Sequence, residues 1–129
     1  MNPAARRYAQ ANRETASPER LMVLLFQAAL RHIRAGAAAL EEGRGMAAAS
    51  SLTKAAEIVI ELSSVLDRSR APELCESLAQ VYRFVCMRLH SAVLVRDARA
   101  AREAERVFAP IADAFEAVVG KTEPTDSVR

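Results

Sequence analysis

Thr15-Ala16-Ser17-Pro18-Glu19-Arg20-Leu21-Met22-Val23-Leu24-Leu25-Phe26 is a helix start followed at once by an apolar run. The Ser17 hydroxyl can accept from the free backbone N–H groups of a first turn. Pro18 suits the first helical position, where a missing N–H costs nothing. Glu19 places negative charge at the positive end of the helix dipole. The stretch predicts a long helix from Pro18, loaded with large apolar side chains from its first turn.

Three more helices follow from the same reading. The first ends near Glu42, where Gly43 and Gly45 suit a stop. The second runs from about Met46 to Asp67 and is broken by Asp67-Arg68-Ser69-Arg70-Ala71-Pro72. The third spans Pro72 to about Val95. The fourth starts near Asp97, a suitable N-cap, and runs to about Val119, where Gly120 and a polar tail with Pro124 end it. Connections are short, so neighbours are antiparallel. The expected fold is all-α: an antiparallel up-and-down four-helix bundle over residues 17–120. A short N-terminal arm or helix (1–16) precedes it and a disordered tail (121–129) follows.

Composition agrees. Alanine is the commonest residue, glycine is scarce and β-branched residues form no alternating runs. A chain of 129 residues reads as one domain, large enough to bury a core without disulfides or metals.

At about 100° per residue, each helix has one clear core stripe. In the first it is Met22, Leu25, Phe26, Ala29, Ile33, Ala37 and Leu40. In the second it is Leu52, Ala55, Ala56, Val59, Leu62 and Leu66. The third offers Leu74, Leu78, Val81, Tyr82, Val85, Leu89 and Ala92. The fourth offers Ala100, Ala104, Val107, Phe108, Ile111, Phe115 and Val118. Pro110 lies inside the fourth pattern and removes a backbone hydrogen bond, at a cost of about 3 kcal/mol. The pattern continues past it, so a kink is expected rather than a stop.

The core stripes leave apolar residues over. Leu21, Leu24, Ala28 and Ala35 form a second stripe on the first helix. Ile58 and Val65 flank Leu62 on the second, and Phe84, Met87 and Leu94 lie on the third. Burying one such large side chain is worth roughly 1.5–3 kcal/mol. Two readings stand: a core made broad by its alanines, or a surface for another helix or for self-association.

Reactive chemistry is not in view. His32 and His90 fall on the flank and outer face of their helices, and no inward Glu-x-x-His pair suggests a di-iron site. Cys75 and Cys86 are about 16 Å apart along one helix, too far for a disulfide or a shared metal. They read as packing residues in a reducing compartment. No Gly-rich phosphate loop appears, and no cofactor is expected. Glu57 and Glu61 read as a solvated face paired with Lys54 and nearby arginines. The net charge of +2 is interspersed, apart from Arg6, Arg7 and Arg13, which argues against nucleic acid as a partner. The Leu21–Phe26 run is too short to span a membrane, and no export signal follows Arg6-Arg7. No membrane insertion is expected, and the location reads as cytoplasmic.

The order of three motifs resembles the FliS family, the flagellin-specific export chaperones of bacterial flagella. Tyr8 precedes Ser17-Pro18-Glu19-Arg20-Leu21 and Leu25-Phe26, as in that family's opening. Lys54-Ala55-Ala56-Glu57-Ile58-Val59-Ile60-Glu61-Leu62, closing on Leu66-Asp67, is similar to its second-helix pattern. Leu78, Val81-Tyr82, Leu89, Ala92 and Asp97 fall where the family has its third-helix residues and the aspartate after them. The resemblance spans roughly residues 8–119. It departs at Arg68–Pro72, which replaces a Gly-rich turn, at Arg83 for an acidic residue, at Val93 for Asn, and at Phe115 near a Trp.

That resemblance implies a chaperone and not an enzyme. Its client would be the C-terminal disordered segment of flagellin, made helical as it wraps the bundle and so kept from polymerising early. The loaded complex would go to a component of the flagellar export gate, with Tyr8 as the expected gate contact and the arm able to cover part of the groove. Joined with the surplus stripes, it makes Leu21, Leu24, Ile58, Leu62, Val65, Phe84, Met87 and Leu94 the expected flagellin-binding residues. A scaffolding or regulatory module that forms a homodimer, or binds another amphipathic helix, is the alternative.

Overall fold

Ser17 does cap the long helix: its Oγ accepts from the Arg20 N–H at 3.1 Å, with Pro18 in the first turn. The computed structural model describes residues 2–12 and 17–122, with side chains for 2–7 and 17–121. Within them lie five helices and no strand: α1 (Pro3–Asn12), α2 (Pro18–Glu41), α3 (Gly45–Ser64), α4 (Pro72–Val95) and α5 (Ala98–Thr122). Helices α2 to α5 pack in a ring, each on its chain neighbour and α5 back on α2, which gives an up-and-down four-helix bundle. The short α1 lies across α2 and α3.

The boundaries have local causes. Gly43 takes a left-handed φ of 75°, which lets the chain turn into α3. Asp97 caps α5, its Oδ1 accepting from the N–H groups of Arg99 (3.0 Å) and Ala100 (3.4 Å). α3 stops at Ser64, short of the expected Asp67. The Ser64 hydroxyl donates to the Glu61 carbonyl at 2.7 Å, and Asp67 Oδ1 accepts from the Ser69 N–H at 3.1 Å. These side chains offer the backbone partners outside the helix. α5 runs through Pro110 as one helix, and it passes Gly120, where an end was expected.

Phe108, Ile33, Leu52, Ile58, Leu62 and Leu89 are the largest fully buried side chains, and no polar or charged residue among those described is buried. Phe26 ties α2 to α5 by ring contacts with Phe108 (5.6 Å between centroids) and Phe115 (5.0 Å). Gly36 admits a close approach of α2 to α3: a Cβ there would lie 2.4 Å from Leu52 Cδ2.

Some assignments between core and surface change. Leu74 and Val118, expected in the core, are each 60 % exposed. Both sit near helix ends at one end of the bundle, Leu74 at the start of α4 and Val118 near the end of α5. Ile58 and Ala28, expected on outer stripes, are fully buried. Ile58 lies one turn beyond Lys54, on the flank of α3 against which α1 packs. Leu62, read both as core and as binding surface, is buried as well.

Candidate functional site

In an up-and-down bundle the start of α2, the end of α3, the start of α4 and the end of α5 meet at one end. There the structure holds an open apolar groove of about 350 Å³. α2 contributes Met22 and Phe26, from the apolar run that follows Ser17-Pro18. α3 and its C-cap bring Leu62, Val65 and Leu66. α4 adds Leu74, Leu78 and Tyr82, and α5 adds Ile111, Ala114, Phe115 and Val118. Among the described residues, no charged side chain lines it. The floor is fixed, because Phe26, Leu62 and Tyr82 are buried in the core. The rim is wet: Leu74 and Val118 stand out as above, and Val65 is 50 % exposed.

Tyr82 is the groove's main polar opportunity. Burial, and then the neighbouring Cys75, push its hydroxyl pKa up to about 12, so it stays neutral and able to donate. Cys75 Sγ itself donates to the Asp67 carbonyl at 3.3 Å, tying the 65–71 connection to α4. Both cysteines are free thiols. Burial raises the pKa of Cys86, which keeps it a poor nucleophile. Among the described residues, no group of three His, Cys, Asp or Glu side chains could hold a metal. No described helix is long and apolar enough to cross a membrane.

The groove is a concave apolar surface of helical-bundle type, with no reactive group among its described residues. It suits an apolar segment that seats side chains one after another.

The family model "Flagellar protein FliS" matches residues 1–122. The chain belongs to the FliS family. The flagellar secretion chaperone FliS of Salmonella typhimurium is 32% identical over 119 residues, covering 88% of each chain. A solved structure described as a flagellar chaperone from bacteria shares the fold, with a TM-score of 0.71 at 18% identity, over 92% of this chain and 96% of that one. FliS is a family of flagellar chaperones and not of enzymes.

On this FliS bundle the expected flagellin-binding residues scatter. Val65 and Leu62 line the terminal groove, one at the rim and one in the floor. Leu21 and Leu24 are half-buried on α2 and do not line it. Phe84 and Met87 stand exposed on α4, also outside it. Leu94 is 76 % exposed at a separate, smaller groove between α3 and α4, beside Ala56, His90 and Val93. Ile58 reaches no surface. Tyr8 falls in α1, and its side chain lies outside the described residues, as does Arg13.

Most of the groove's lining was read from sequence as core. A usable signal was present: Met22, Leu66, Leu74 and Val118 all fall in the first or last turns of their helices, or just past them. An antiparallel register brings those turns to one end, beyond the reach of full coverage.

Proposed function

We propose that this chain is a cytoplasmic export chaperone that holds the C-terminal disordered segment of flagellin. Covering that segment keeps flagellin from polymerising early, and the complex is then delivered to a component of the flagellar export gate. The observation that carries this reading is the terminal groove: large apolar side chains from four helices, left open at the rim, on a chain of the FliS family. A disordered client loses entropy on ordering, so it needs a long apolar contact to bind. Leu74, Val118 and Val65 at the rim, above a floor of Phe26 and Leu62, supply one. Val65 and Leu62 are the two expected binding residues that belong to it. Met87 and Phe84 offer further apolar surface along α4, on which a wrapping segment can continue.

Tyr8 is assigned to delivery. Its helix packs on α2 and α3, and no described side chain of α1 lines the terminal groove. That separation supports two faces with two tasks. A homodimer is the second reading, favoured by the neighbouring pair Leu94 and Val95, which is exposed at the end of α4.

Calorimetry and co-elution with a C-terminal flagellin peptide test the proposal. Binding at 1:1 is expected, with Tyr8→Ala leaving it intact while export falls. No heat and no co-elution would contradict it. Association of the free chain, rising with concentration and blocked by Leu94→Asp, would favour the dimer.

A further inference from the structure

A notch of about 320 Å³ opens where α1 crosses α2 and α3, and it shares no residue with the apolar groove. Ala4 and Arg7 of α1, His32 of α2 and Lys54 of α3 line it. The position of α1 is fixed by burial of Ala4 and Ala5 and by a hydrogen bond from the Asn2 amide to the Glu57 carbonyl. Asn2 Oδ1 also accepts from the Ala5 N–H at 2.9 Å, closing the first turn of α1.

Among the described residues, every ionisable group on this lining is a cation or can become one. Neither Arg7 nor Lys54 forms an ion pair with a described carboxylate, and Lys54 does not take up the expected pairing with Glu57. Glu57 stands one turn along α3 and does not line the notch. The field of these cations reaches His32. Burial, and then Lys54, Arg31 and Arg7, hold its pKa below the ordinary imidazole value. Like charges brought to one place from three helices oppose the packing of those helices unless an anion sits between them.

We propose that the notch is a binding site for an oxyanion, a phosphate-like or carboxylate group held by Arg7, His32 and Lys54. Arg7 offers a planar fork of N–H donors and Lys54 a compact charge. A bound anion favours the protonated His32, which then donates from the ring. Among the described residues, Arg7 on α1, Arg31 on the histidine's own α2 and Lys54 on α3 are the charged groups that bear on it. An anion opposes their effect and raises the His32 pKa, so affinity rises as pH falls through the imidazole range. The site spans α1 and the bundle, so an occupant also fastens the helix that carries Tyr8.

The test follows the His32 imidazole by NMR in the full chain, with the exposed His90 as internal reference. Sulfate stands in for a free oxyanion because it does not titrate in this range, and tri-glutamate stands in for acidic side chains of a partner. Each is titrated against sodium chloride at matched ionic strength, at pH 6 and pH 8. The expected result is a saturable shift of His32 and not of His90, tighter at pH 6. A response to sulfate identifies a free oxyanion as the ligand; a response to tri-glutamate alone identifies a partner's carboxylates. Lys54→Gln and Arg7→Gln should each weaken binding by about tenfold, and Lys54→Gln should raise the His32 pKa in the ion-free protein. No response beyond chloride, or full binding in both variants, would overturn the proposal.

Discussion

At one end of the bundle, where α2 turns into α3 and α4 into α5, the interior is filled largely by small residues: Gly36, Ala37, Ala48, Ala92, Ala100, Ala101 and Ala104 are all buried. At the other end the side chains are larger, Met22, Phe26, Leu66, Leu74, Leu78, Ile111 and Phe115, yet that end holds the open groove. Large apolar residues do not by themselves make a closed core. Small residues let backbones approach, as Gly36 does at Leu52, and the groove beside Leu94 at this end is the smaller of the two. Short turns at Glu42–Arg44 and Arg96–Asp97 then close that end. Arg102 adds a clamp from α5 to α2, through two hydrogen bonds to Glu41 at 2.7 and 3.0 Å. The opposite end has the longer 65–71 connection, and Leu74, Val118 and Val65 stay exposed there.

The sharpest contrast in stability is expected at Ile58. Ile58→Asp places a charge in the fully buried middle of α3, where no partner exists. The expected cost is at least about 3–5 kcal/mol, enough to remove the folded state of a marginally stable domain. Loss of far-UV circular dichroism or of a cooperative thermal transition is the readout. A folded, helical variant would mean that this flank is surface after all. A smaller effect is expected at the alanine-packed end. Gly36→Ala forces a Cβ against Leu52, and overpacking of that kind costs about 1–3 kcal/mol. The urea midpoint should fall without change in slope. An unchanged midpoint would show that this end is looser than its packing implies. The smallest change in stability is expected at the groove rim. Leu74→Ser with Val118→Ser removes two exposed side chains, so stability should move by no more than about 1 kcal/mol. Binding of the flagellin segment should nevertheless drop by about tenfold or more, since each buried apolar side chain contributes roughly 1.5–3 kcal/mol. Unfolding in this variant would place both residues in the core.

The sequence made the bundle legible. Ser17-Pro18, Pro72 and Asp97 marked helix starts, and the 100° stripes identified Phe26, Ile33, Leu52, Leu89 and Phe108 as core. The groove was legible only in part, because periodicity reports which face of a helix is apolar and not how far the neighbouring helix extends along it. Leu74 and Val118 are in phase with their core stripes and still exposed. The reverse error, at Ile58, has the matching cause: α1 covers a flank that a bare four-helix bundle leaves open. Neither an end effect nor a crossing helix has a period of its own to be read.

Hydrogen exchange of the chain alone and with the C-terminal flagellin segment tests most directly whether the open end is the client face. Slower exchange is expected at the end of α3, through 65–71, in the first turns of α4 and in the last turns of α5, with residues 36–52 and 89–104 unchanged. Slowing confined to 36–52 and 89–104, with none at the open end, would contradict it.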